Sequence, residues 1–446
     1  MDEADVVEFV AKMSEQNDED QIVNELAVLK IRDATISDLL NIKRWRMNCS
    51  ELVSVPPSIR HLRNLEELDL SYTINLTNLP GEIGQLTNLK ILDLSYTMNL
   101  TRLPDETCGL NSLKELLLHS SSIMSLPPSI GMLQNLEELR LSGATNLTTL
   151  PEEIAKLTSL RKLNLRNSGI ETLPSTIGQL KRLEELDLSY TTNLRNLPDE
   201  ISDVAGLKRL LMRNSAITSL PPSIGNLQKL EEIDLGFATN IKTLPREIGS
   251  LVNLKVLNLY HAMMNSIPSS IGNLQNLETL YLGCAENLQS IPEGIGRLTR
   301  LKFLHLRSSN ITSLSPFVGR LQKLEHLDLE YAVNLTVLPD EIVGLTSLKR
   351  FIRSKSVPRS PPDEFKYKFL CKRAKKRLWT TINGFSLQTS KLWPHILENA
   401  PEAFNDDLSV DNYPSSTIKV ANPDAIYQVL SNGRESFINV LLLRKQ

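Results

Sequence analysis

LNLRNSGIETLPSTIG, residues 163–178, and LDLSYTTNLRNLPDEI, residues 186–201, decide the fold. In each, leucines alternate with polar residues, as in Leu186-Asp187-Leu188, which describes a short strand with one buried face. The spacing LxxLxL that opens this pattern begins at Leu65, Leu89, Leu113, Leu136, Leu160, Leu183, Leu207, Leu230, Leu254, Leu277, Leu301 and Leu324. A weaker copy starts at Ile42, with Trp45 and Met47 in the leucine places. A final copy starts at Leu348 and decays into Phe351 and Arg353. The reading is thirteen units plus a terminal strand, and self-similarity at such a period means a stacked array.

The steps are uneven. From Leu89 they alternate between 24 and 23 residues up to Leu348, so two unit types form a 47-residue super-repeat. The longer type carries LDLSYTTNLRNLP and the shorter LNLRNSGIETLP. The one break is at Leu65 and Leu89, where two long units stand side by side, as a tandem duplication would leave them.

Within one unit, Leu68 and Leu70 face inward from the strand and Leu76 and Leu79 continue the buried ladder. Pro80 is expected at the first position of a short helical segment, which Ile83 and Leu86 turn inward. Gly84 is expected to end that segment with φ > 0. One unit cannot cover its own apolar face, but parallel stacking buries a continuous core. The expected fold is therefore an α/β solenoid: a curved horseshoe with a parallel concave sheet and short helical or 3-10 convex segments. Residues 42–353 hold the repeats, residues 1–41 an acidic, helical N-terminal cap, and residues 354–446 a linker, a basic segment and a mostly helical extension.

These units resemble the leucine-rich repeat family. The LPxxIGxLxxL half, as in Leu220-Pro221 through Leu230, is similar to the intracellular Ras-group repeats of Scribble-type scaffolds, the Ras suppressor protein and their plant relatives. The long units, with LDLSYTxNLxxLP, look more like the repeats of plant disease-resistance receptors. The Asn or Cys that often follows the strand is replaced here by small residues, among them Thr73, Ser168 and Ala238. A Ser or Thr hydroxyl can still bond the backbone there, whereas Ala cannot. A resistance receptor also needs a nucleotide-binding domain, and no GxxxxGK[ST] occurs. The resemblance implies a protein partner, either a small GTPase or other signalling protein, or a pathogen-derived protein.

Composition agrees with a packed, non-enzymatic chain. Of 446 residues about 80 are leucine, 41% are hydrophobic and the net charge is -3. That charge argues against a nucleic-acid binder, and no apolar run of about 18 residues exists to span a membrane. The acidic start, MDEADVVEF, does not read as a secretory signal, so the expected location is cytoplasmic. The six Asn-x-Ser/Thr sequons, at Asn48, Asn75, Asn99, Asn146, Asn310 and Asn334, are mostly by-products of the repeat and are read as unmodified. The histidines and cysteines form no metal-ligand spacing, no GxSxG elbow is present, and no cofactor is expected. The expected state is a monomer.

The flanks leave alternatives open. The apolar spacing of Val6, Val7, Phe9, Val10 and Met13 fits an amphipathic helix that either caps the first repeat or docks a partner. The basic run Lys372, Arg373, Lys375, Lys376 and Arg377 is a solvated helix face, a nuclear-import signal or a contact to an anionic membrane. An enzyme activity in the C-terminal extension stays as an alternative of a different class, without a catalytic motif to support it.

The candidate site is the concave face, where repeat arrays bind. Long units place mostly acids there, such as Glu138, Glu185 and Glu232, and short units mostly bases, such as Lys162 and Arg209. The centre of the face is expected to neutralise itself. After Leu254 the character changes, and Tyr260, Tyr281, Phe303, His305 and Arg307 are the candidate protein-binding residues, with Tyr281 expected beside His305. The competing reading is that these residues cover one another or meet the C-terminal tail. Tyr72, Tyr96, Tyr190, Phe237 and Tyr331 recur with the repeat and are read as rim packing.

Overall fold

The computed structural model describes residues 41–47 and 52–353. The caps expected at residues 1–41 and 354–446 therefore lie outside the described residues, apart from Asn41. The chain divides after Leu288 into two compact units.

The first unit holds eleven strands: β1 (Arg44–Arg46), β2 (Glu67–Asp69), β3 (Ile91–Asp93), β4 (Glu115–Leu117), β5 (Glu138–Arg140), β6 (Lys162–Asn164), β7 (Glu185–Asp187), β8 (Arg209–Leu211), β9 (Glu232–Asp234), β10 (Val256–Asn258) and β11 (Thr279–Tyr281). All are parallel and pair in chain order. The register equals one repeat, so Leu68 lies opposite Leu92 and Leu163 opposite Leu186. The second unit repeats the pattern with β12 (Phe303–His305), β13 (His326–Leu329) and β14 (Arg350–Arg353). The fourteen strands match the thirteen units and terminal strand read from the sequence.

Each of β1 to β13 is followed by a five-residue 3-10 segment, for example Gly81–Gln85 and Asp199–Asp203. Such short i to i+3 segments need no α-helical length. The strand leucines, the ladder leucines and the segment isoleucines, such as Leu68, Leu76, Ile83 and Leu86, are fully buried. Backbone bonds between repeats continue past the strands: Leu70 N–H donates to Asp93 C=O at 2.8 Å and Tyr72 N–H to Ser95 C=O at 2.9 Å.

Two local expectations need correction. Pro80 stands one place earlier than expected. It is the residue before the segment, extended at φ -70 and ψ 149, and Gly81 opens the helix. Its ring still fixes the entry. Gly84 does not take φ > 0. Leu86 closes the segment, its N–H bonding Ile83 C=O at 3.1 Å. Glycine is needed at 84 because a Cβ would run into the Glu106 carbonyl oxygen of the next repeat.

Positive φ occurs elsewhere, at one residue per repeat just past the strand. Tyr72, Tyr96, Tyr190, Phe237 and Cys284 all adopt it, and Gly143 is the glycine in this series. The next residue closes the turn, as when Thr73 N–H bonds Leu70 C=O at 3.3 Å. There the hydroxyls do what the sequence suggested. Thr73, Thr97, Ser168 and Ser215 each donate to the backbone carbonyl three residues back, at 2.5, 2.7, 2.6 and 2.7 Å. Where the repeat has Ala238 or Ala262, the backbone N–H alone makes the bond, at 3.1 Å.

Candidate functional site

The period of two along each strand turns two residues outward, and a third follows just past the strand. These form three rows across the repeats. The first row contains Glu138, Lys162, Glu185, Arg209 and Glu232, each opposite the next in register. Arg209 bridges Glu185 and Glu232, at 2.9 Å to each. The centre of the face neutralises itself, as the alternation of unit types predicted.

The second row is acidic in most long units, and much of that charge is committed to the backbone. Asp93, Asp187 and Asp234 each accept the N–H two residues on, at 2.9, 2.9 and 2.8 Å. Asn164 and Asn258 do the same in short units. These bonds hold the chain as it leaves the strand. Burial pushes the Asp234 carboxyl above the usual range, against the opposing Gly236 N–H and Arg213 charge.

The third row meets the aromatic series at positive φ. Arg166 stacks on Tyr190 at 4.4 Å, Arg213 on Phe237 at 4.6 Å and Arg307 on Tyr331 at 5.1 Å. A short-unit arginine thus covers the ring of the following long unit. Of the recurring aromatics, Tyr190, Phe237 and Tyr331 thus take a cation–π partner, while Tyr72 and Tyr96 stack on each other.

The five candidate residues fall in both units. In the first, Tyr281 lies in β11 opposite Asn258. Tyr260 follows β10 two positions past Asn258, so it is not opposite Tyr281. Its ring packs on Phe237 with centroids 5.4 Å apart, and its hydroxyl accepts from the Cys284 thiol at 3.1 Å. In the second unit, Phe303 stacks on His326 at 4.8 Å. His305 lies opposite Asp328. Burial lowers the His305 imidazole below its usual range, against the Asp328 charge and with help from His326 and Arg350. Arg307 is paired to Glu330 at 2.7 Å. Tyr260, Tyr281, Phe303 and His305 are half-buried among their neighbours, and Arg307 is exposed. Lys372, Arg373, Lys375, Lys376 and Arg377 lie outside the described residues.

A second site was not singled out from the sequence. A hollow of about 520 Å³ opens on the outward face of the first unit, over β2 to β7. That volume is within the range of ligand pockets. Tyr72 and Tyr96 stack on its edge, centroids 4.4 Å apart and nearly parallel. Tyr96 also meets His119 edge-on at 5.0 Å. The two ring nitrogens of His119 are 2.6 Å from Ser142 Oγ and 3.0 Å from the Tyr96 hydroxyl. Asp93, Glu138, Arg140, Lys162 and Glu185 complete its charged lining. The signal for its edge was present in the sequence: Tyr72 and Tyr96 stand where two long units adjoin.

Among the described residues no group of three His, Cys, Asp or Glu side chains is placed to hold a metal. No helix among them is long and apolar enough to cross a membrane.

The comparisons with known proteins agree with this geometry. The family model described as a leucine-rich repeat region matches residues 47–166, 150–238 and 234–301. The solved structure of a leucine-rich repeat protein of Leptospira interrogans is 30% identical, covering 76% of this chain and 96% of that one, with a TM-score of 0.51. An internalin of Listeria monocytogenes is 20% identical over 77% of this chain and 93% of its own, at 0.51. A chain of the Toll–Spatzle complex of Drosophila is 20% identical over 71% and 51%, at 0.54. The last two speak for the fold alone. No curated protein matches the chain.

Proposed function

The chain belongs to the leucine-rich repeat family, and from that membership we propose that it is a non-catalytic protein-interaction scaffold or sensor that binds a protein partner on its strand face. One observation carries the reading. Many outward side chains along β1–β11 are held by bonds within the chain, as in the Asp187 carboxylate on its own backbone and Arg166 on Tyr190. A surface whose side chains are already ordered loses little freedom on binding.

Several features support a finer reading. The LPxxIGxLxxL half of the repeats favours a role in intracellular signal transduction, with a small GTPase or other signalling protein as partner. The LDLSYTxNLxxLP half favours the second reading, a stand-alone defence protein that recognises a pathogen-derived protein. Two groups of residues are the proposed anchors, Tyr260 and Tyr281 in the first unit and Phe303, His305 and Arg307 in the second. The location proposed is the cytoplasm. The basic run from Lys372 to Arg377 supplies an address to the nucleus or to a membrane surface.

The test is affinity capture from native cell extract. Wild type is run beside a Tyr260→Ala/Tyr281→Ala variant and a Phe303→Ala/Arg307→Ala variant, each first shown folded by circular dichroism. A partner retained by wild type and lost by one variant assigns the anchors to that group. A partner retained equally by all three moves the binding site away from these residues. Capture of none removes the scaffold reading.

A further inference from the structure

The alternation of unit types fails once, at Leu65 and Leu89, and one edge of the hollow lies at that junction. The failure leaves two marks on the face. The first is in the charges. Across β5 to β9 the carboxylates of the first row lie opposite cations. Near the junction Asp69 lies opposite Asp93, and Glu115 opposite Glu138. Like charges directly opposite weaken a sheet. Arg46 serves Asp69 at 2.6 Å. Arg140 and Lys162 share Glu138. Asp93 has no cationic partner among the described residues. One of its oxygens accepts the Ser95 N–H, and the other has no partner among those residues. Glu115 makes no ion pair among them either. The Arg140 guanidinium feels this surplus: its pKa is raised first by the hydrogen bond to Glu138, and further by the charges of Glu138, Glu115 and Asp93.

The second mark is in the rings. Tyr190, Phe237 and Tyr331 each carry the guanidinium of the preceding short unit. Tyr96 follows a long unit, so its neighbour is Tyr72 rather than an arginine. Among the described residues no cation stacks on either ring.

We propose that the hollow receives an arginine- or lysine-bearing segment of the protein partner, its cation set against the Tyr72–Tyr96 stack and the Asp93 carboxylate. The proposal rests on the strand face being a protein-binding surface, and it names the chemistry that one part of that surface reads. Elsewhere the chain supplies the guanidinium itself, and here a partner supplies it. Glu115 and Glu138 add negative field beside the site. An anionic ligand is disfavoured because Arg140 and Lys162 are already engaged by Glu138, so an anion would have to displace an internal carboxylate.

Random peptides of about twelve residues, displayed on phage, are selected on the immobilised full chain. Enriched sequences are then titrated as dye-labelled synthetic peptides at about 0.15 M salt. The expected peptides are rich in Arg or Lys. Their affinity should fall about tenfold or more in Asp93→Asn and in Tyr72→Ala/Tyr96→Ala, and stay unchanged in Glu231→Gln on β9's flank. Asn at 93 keeps the oxygen that accepts the Ser95 N–H, so the turn is preserved. The tyrosine variant changes no charge, so unspecific attraction of cations to an acidic chain would survive it. Enrichment of acidic or apolar peptides, equal binding by Asp93→Asn, or no enrichment at all overturns the proposal. Capture of a partner by wild type in the preceding experiment would then leave the broader reading standing and remove this site alone.

Discussion

Gly81 and Gly84 sit three residues apart in one 3-10 segment and face different constraints. A Cβ at 81 would approach the end of the Glu106 side chain, 2.9 Å from Cδ, and that chain can swing away. A Cβ at 84 would meet the Glu106 backbone carbonyl, which cannot. Gly81→Ala should therefore be neutral, or stabilise by about 0.4–1 kcal/mol through the unfolded chain. Gly84→Ala should cost at least about 1–3 kcal/mol, as overpacking does. Urea midpoints of the two variants check this, and equal midpoints would refute the close-approach account. His305 gives a second prediction at this scale. Its folded pKa lies below the ordinary 6.5 because burial disfavours the charged ring. A depressed pKa means that the unfolded state binds the proton more readily. The contribution of His305 to stability is then full above about 6.5 and lost as pH falls through the folded value. The slope of stability against pH just below 6.5 should flatten in His305→Gln. Proton NMR should also show the His305 ring titrating below 6.5, and a midpoint at or above that value would contradict the assignment.

Strands β2 to β9 carry the charge pattern, and its energetics can be tested strand by strand. Arg209 is shared by Glu185 and Glu232. Arg209→Ala should cost up to about 1 kcal/mol, since exposed pairs are weak, and the loss should shrink in about 1 M salt. Asp93→Asn and Glu115→Gln act in the other direction. Each removes one member of a like-charge pair, so each should leave stability unchanged or raise it by roughly 0.2–1 kcal/mol. A destabilised Asp93→Asn would mean that this carboxylate is needed for the fold rather than for a ligand. This much of the face was legible in the sequence, because the place of a residue within its repeat decides which residue lies opposite it. Other features were not. The LP pair marks a helix entry without saying on which side of the boundary the proline stands, which is why Pro80 was placed one residue late. A glycine inside LPxxIG can mean a turn or a tight contact, and only the neighbouring backbone at Glu106 distinguishes them. Asp187 reads as a surface charge until its bond to the Ser189 N–H is seen. Tyr260 looks like an exposed anchor, yet Phe237 and Cys284 already engage its ring and hydroxyl. Those contacts cross from one repeat to another at offsets that the leucine pattern does not specify.

An array that meets only its neighbours can lose units and stay folded, which lets the alternation rule be tested on the molecule as a whole. Deleting residues 183–229 removes one 47-residue super-repeat. It would set Lys162 opposite Glu232 and Arg166 beside Phe237, leaving the alternation intact. Deleting residues 207–229 removes a single short unit and joins two long ones. Glu185 would then face Glu232, Asp187 would face Asp234, and Tyr190 would lie beside Phe237 without Arg213 between them. This copies the junction at Leu65 and Leu89 at a second place. Both shortened chains should fold, because the leucine ladder stays in register in each. Their response to salt should differ in sign. Screening weakens attraction in the first chain, so added sodium chloride should leave its stability flat or lower it. Screening relieves repulsion in the second, so its stability should rise between about 0.05 and 0.5 M salt. The second chain should also bind about twice as many basic peptides per molecule as wild type at saturation, while the first binds the same number. A single-unit deletion that responds to salt like the super-repeat deletion, and gains no peptide, would show that the junction's charges and stacked rings do not make a site.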